Sequence, residues 1–110
     1  MTKFNPFEVS ENSRDFDQVE LFNKVLTPRF AIVASWGLHA RKLFGRGLRF
    51  TVSGMIHKGH VYVFLSANDT FEVHLTSRRG RLIETIKDVY LEDLIETIDI
   101  KVERIKNYRF

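Results

Sequence analysis

An α+β domain is the fold class this sequence predicts, on three observations. Apolar and polar residues alternate in successive stretches between Leu48 and Leu75, turn residues separate those stretches, and an apolar stripe at helical spacing runs from Leu91 to Ile105. A period of two marks strands with one buried face, whereas spacings of three and four mark a helix that must lay its apolar side on something else. The expected architecture is an N-terminal helix, an antiparallel β-meander of three to five strands and a C-terminal amphipathic helix packed on the sheet.

Residues 1–12 are expected to be a flexible N-terminal tail, ended by the polar run Ser10 to Ser13, with residues 13–110 as a single domain. Ser13 is the expected N-cap of a first helix, Arg14 to Leu26, in which Phe16, Val19, Phe22, Val25 and Leu26 form the apolar stripe and Asp15 and Asp17 sit in the first turn. Phe30 to Trp36 is continuously apolar and bounded by Pro28 and Gly37. A short buried strand is expected there, in competition with a helix opened by Thr27 and Pro28.

The meander follows. Leu48, Phe50, Val52 and Ile56 alternate with Arg49, Thr51, Ser53 and Met55, and after Lys58-Gly59 the pattern resumes with Val61, Val63 and Leu65 against His60, Tyr62 and Phe64. A two-residue Lys58-Gly59 turn would pair His57 with His60, Met55 with Tyr62 and Ser53 with Phe64. A three-residue loop at Ala67-Asn68-Asp69 would pair Phe64 with Glu72, Tyr62 with His74 and His60 with Thr76. Ser77-Arg78-Arg79-Gly80 predicts a type I turn with glycine in the left-handed region, leading into a fourth strand from Arg81 to Ile86 with edge character. Asp88 is the expected cap of the closing helix, whose stripe is Leu91, Leu94, Ile95, Ile98, Val102 and Ile105.

Bulk properties exclude several function classes. A chain of 110 residues with ten Phe and 44% hydrophobic residues can bury a core. It has no cysteine, so neither disulfides nor thiolate-bound zinc contribute. The N-terminus lacks the apolar run of a signal peptide and no segment has the length of a membrane span, so a cytoplasmic protein without membrane contact is expected. Charge is uneven: residues 1–27 carry three bases and five acids, residues 28–81 nine and two, and residues 82–110 five and seven, or −2, +7 and −2. A basic middle steers anionic partners, whether nucleic acid or an acidic protein.

The most basic stretch is Ala40 to Phe50, ARKLFGRGLRF. It has neither the glycine spacing and Gly-Lys pair of a P-loop nor the three glycines of a dinucleotide fingerprint, and it leads into a strand instead of a helix N-terminus. It reads foremost as a solvated turn with basic decoration. The polar face of the predicted sheet is more unusual, since it brings Tyr62 and Phe64 together at i and i+2 among basic residues. Aromatic side chains that stack bases beside cations that follow phosphates are the scheme of single-strand-binding sheets. The expected nucleic-acid-binding residues are therefore Arg41, Lys42, Arg46, Arg49, Tyr62, Phe64, His74, Arg78 and Arg79. Two other readings compete: the first helix buries this face, or a second copy of the chain or a partner protein does.

Enzymatic chemistry is not expected. His57, His60 and His74 form a weak metal motif without a convincing carboxylate second shell, so neither a metal nor another cofactor is assigned. Glu92, Glu96, Asp99 and Glu103 form a stripe that keeps the closing helix's outer face in water, and Trp36 is read as core. The expectation is a small non-enzymatic binding or accessory module, with nucleic acid as the preferred ligand and homodimerisation or protein interaction through the same face as the alternative.

Overall fold

In the computed structural model, which describes residues 4–21, 23, 36–54 and 56–102, the alternating stretches form one antiparallel sheet in strand order β1-β2-β3-β4-β5. The strands are β1 His39–Phe44, β2 Gly47–Ser53, β3 Lys58–Leu65, β4 Phe71–Thr76 and β5 Leu82–Val89. Helix α1 spans Pro6–Glu11, α2 Gln18–Leu21 and α3 Leu94–Val102, the last led by a 3-10 turn at Leu91–Asp93. The fold is α+β, as expected.

The first face of the sheet is apolar because every second residue is. Leu48, Phe50, Val52, Val61, Val63, Val73 and Leu75 are buried there beneath α3, which contributes Leu94, Ile95, Ile98 and Val102 at helical spacing. Each such side chain stabilises the fold by about 1.5–3 kcal/mol relative to exposure. Trp36 stacks on Phe50 and donates its indole N–H to Asp99 Oδ1 at 2.9 Å, so this acid of the supposed water-facing stripe holds the core's largest side chain. Lys101 pairs with Glu84 at 2.8 Å across the same layer.

The β3–β4 register is the expected one, with His60 opposite Thr76, Tyr62 opposite His74 and Phe64 opposite Glu72. Gly80, at φ 89°, takes the left-handed position expected of it in the β4–β5 turn. The β2–β3 register differs. Ser53 pairs with Lys58, six positions short of the expected Phe64, and the turn is the longer loop from Gly54 to His57. An even displacement leaves both faces intact, and docking explains it. The N–H groups of Ile56 and His57 both donate to the Val102 carbonyl at the end of α3.

The N-terminal segment is the largest correction. Residues 4–12 are packed instead of forming a loose tail: Asn5 caps α1 by accepting from the N–H groups of Phe7 and Glu8, and Pro6 starts the helix. Ser13 is not an N-cap. Its hydroxyl donates to the Val9 carbonyl at 2.6 Å, Arg14 pairs with Leu65 in an extended bridge, and Asp17 instead receives the Glu20 N–H at the start of α2. Asp88 is not a helix cap either; it sits near the end of β5 at φ 59°, receiving hydrogen bonds from Asn68 and Thr70. Residues 30–35 of the expected strand Phe30 to Trp36, residues 22 and 24–26 of the expected first helix, residue 55 of the expected β2–β3 pairing, and Ile105 lie outside the described residues, while Trp36 itself sits in a turn.

Candidate nucleic-acid interface

The second face of the sheet holds Arg49, Thr51 and Ser53 of β2, His60, Tyr62 and Phe64 of β3, and Glu72, His74 and Thr76 of β4. It is not an open aromatic platform. Phe4 lies 5.0 Å from the Tyr62 ring, Val9 and Leu82 pack alongside, and Tyr62 and Phe64 are only 5% and 0% exposed. In this arrangement neither ring presents an open face to solvent. The sequence had left open whether a helix covered this face; the cover is Phe4 with α1, not the helix expected after Ser13.

His74 is buried within this layer. Its Nε2–H donates to Glu72 Oε1 at 3.2 Å, and its Nδ1 is 3.0 Å from the Thr85 hydroxyl. Burial pushes its pKa below the usual histidine value, against the opposing pull of Glu72. Both ring nitrogens are used internally, so His74 is a structural residue here. His57 is buried in the Gly54–His57 loop, its Nε2 3.4 Å from the His60 carbonyl. Among the described residues the three histidines form no group able to hold a metal ion.

The stretch ARKLFGRGLRF is a hairpin, β1 and β2 joined at Gly45-Arg46. Its backbone is already engaged. Ser10 Oγ accepts the Arg46 N–H at 2.9 Å, and Gln18 Nε2 donates to the carbonyls of Gly45 and Gly47 at 3.0 Å each. The Arg46 guanidinium donates to the Ser13 carbonyl at 2.7 Å and lies 3.7 Å from Asp15. Arg46 thus clasps the N-terminal segment at one end of β2. Arg41 and Lys42 lie on β1, with Lys42 opposite Arg49.

Further along β2 the arrangement is different. Arg49, paired with Tyr62, is the diagonal neighbour of His60, which pairs with Thr51 and bonds its hydroxyl through Nδ1 at 3.0 Å. Arg78, in the β4–β5 turn, reaches across to donate to Ser53 Oγ at 3.2 Å, and Ser53 is paired with Lys58. Burial lowers the His60 pKa and the charge of Arg49 lowers it further; a backbone hydrogen bond to Arg78 works the other way, against the smaller effects of the Arg78 and His57 charges, and no carboxylate among the described residues acts on it. Ser77, Arg78, Arg79 and Arg81 line an open concavity of about 410 Å³ at the turn. Among the described residues two buried polar atoms nearby in the sheet find no partner: Arg49 Nε and the hydroxyl of Thr76, itself 0% exposed.

Of the expected residues the structure therefore places Arg49 and Arg78 beside His60 with Arg79 in the same turn as Arg78, adds Lys58, Arg81, Ser53 and His60, sets Arg46 at the β1–β2 turn, and buries Phe64, His74 and Arg49's cross-strand partner Tyr62. Lys58 went unassigned because it was placed in a two-residue turn; the signal that would have moved it onto a strand is Gly54, whose close fit against Val102 ends β2 early. Edge strand β5 carries two irregular pairings, and Asp88 bends its end, features that blunt an edge against pairing with another chain. No helix among the described residues is long and apolar enough to cross a membrane. No family model matches the chain, and no curated protein or solved structure matches it significantly.

Proposed function

We propose that this domain binds the phosphate backbone of a nucleic-acid strand at the basic end of its sheet, through Arg49, Lys58, Arg78, Arg79 and Arg81. The observation that supports the reading is the placing of Arg49, diagonal to His60, and of Arg78, bonded to Ser53, about one end of the β2–β3 pair, where no acid among the described residues acts on His60. Guanidinium groups suit phosphate because their forked donors match two of its oxygens. Arg46 and Arg14 are spent on internal pairs with Asp15 and Asp69, whereas the cations of the β4–β5 turn face outward. Binding of this kind follows the backbone and discriminates little between sequences.

The test is fluorescence anisotropy with a short labelled oligonucleotide at rising salt. Affinity falls steeply with ionic strength, and replacing Arg78 and Arg79 together by alanine shallows the log–log slope by roughly 0.7 for each phosphate contact removed from a single strand. Binding that ignores salt, or that survives the double replacement unchanged, contradicts the reading.

A further inference from the structure

We propose that one phosphate group seats between Arg49 and Arg78 and that His60 takes up a proton from solvent as it binds. This rests on the nucleic-acid reading and names the subsite and its coupling to pH. Geometry carries it first. Arg49 is the diagonal cross-strand neighbour of His60, and Arg78 bonds Ser53, two residues along β2 from His60's partner Thr51, so both arginines sit beside the same histidine. The imidazole is fixed in place by Thr51 at Nδ1. The Arg49 Nε–H finds no acceptor among the described residues, and an oxyanion is a matching partner for such a donor.

Among the described residues the groups facing His60 are cationic or neutral: Arg49 and Thr51 from β2, Thr76 from β4, Arg78 from the turn and His57 from the Gly54–His57 loop. In the absence of an anion burial and the charges of Arg49, Arg78 and His57 oppose a third positive charge on the ring, and a backbone hydrogen bond to Arg78 only partly offsets them. A phosphodiester placed among them offsets the guanidinium field and favours the imidazolium, which in turn attracts the anion. The coupling is reciprocal, so whatever raises the proton affinity of His60 also raises anion affinity at low pH by the same factor. A rise of about one unit in the His60 pKa corresponds to about tenfold tighter binding on the acid side than on the alkaline side.

Histidine ring NMR on the full chain reads this directly, using sulfate and an oligonucleotide without terminal phosphate, since neither probe titrates between pH 5.5 and 8. The expected result is a raised His60 pKa with either probe, oligonucleotide affinity that increases as pH falls, and loss of that increase in His60→Gln. If the oligonucleotide binds with a steep salt dependence while the His60 titration is unmoved, the subsite is wrong and the nucleic-acid reading stands. If sulfate shifts His60 and the oligonucleotide binds at no pH, the oxyanion subsite stands and the nucleic-acid reading falls. If neither probe moves His60, the proposal is overturned.

Discussion

The ring of Phe4 lies 4.8 Å from the ring of His74 at an interplanar angle of 32°, so a residue near the start of the chain closes the second face of a sheet built much later in the sequence. The Phe4 N–H also donates to the Gly80 carbonyl at 3.1 Å. These contacts anchor the N-terminal segment at the β4–β5 turn, and Ser10 and Ser13 anchor it at the β1–β2 turn.

Phe4→Ala removes the ring that covers Tyr62 and His74. A buried phenylalanine truncated to alanine costs about 3 kcal/mol, and urea denaturation measures it. An unchanged midpoint would mean that the segment adds nothing to the folded state.

Acid weakens the fold. His57, His60 and His74 all have pKa values lowered below 6.5, chiefly by burial, so below about that pH the unfolded chain binds more protons than the folded one. Stability is undiminished above that range and is lost as pH falls through it. Melting temperature should drop between pH 7.5 and 5.5, and His74→Gln should shrink the drop. A melting temperature that holds or rises on acidification would reverse the sign argued here.

Asp99→Ala leaves the Trp36 indole N–H buried without its acceptor. The expected loss is about 1–3 kcal/mol. Trp36 is the chain's single tryptophan, so its fluorescence reports the same transition without a label.

Gly54 tests the loop that sets the β2–β3 register. A methyl group there would collide with the Val102 carbonyl oxygen, the acceptor for Ile56 and His57. Gly54→Ala should therefore destabilise by about 1–3 kcal/mol, as overpacking does, with the first exchange protection lost at Ile56 and His57.

The sheet was legible because its signals are local. Alternation assigned Phe50, Val52, Val61, Val63, Val73 and Leu75 to one face, and face matching across Ala67-Asn68-Asp69 selected the β3–β4 register. The β2–β3 register was not, because Lys58-Gly59 has turn chemistry while the actual turn depends on the distant Val102 carbonyl. The Asn5-Pro6 start of α1, with Glu8 three residues after Asn5, is a readable cap passed over in favour of Ser13, whose hydroxyl is drawn to Val9 instead. Of the candidate site, the outward arginines at 78 and 79 were found from composition. The burial of Tyr62 and Phe64 was beyond local reading, since their cover comes from Phe4 across the whole sheet.

The most direct test of the central claim is an amide NMR titration of the full chain with a short mixed-sequence strand, at low and at physiological salt. The predicted result is salt-sensitive shifts at Ser53, Lys58, His60 and Arg78 to Arg81, with the Gly45-Arg46 turn unmoved. Shifts centred on Gly45-Arg46, or none at any salt, would contradict it.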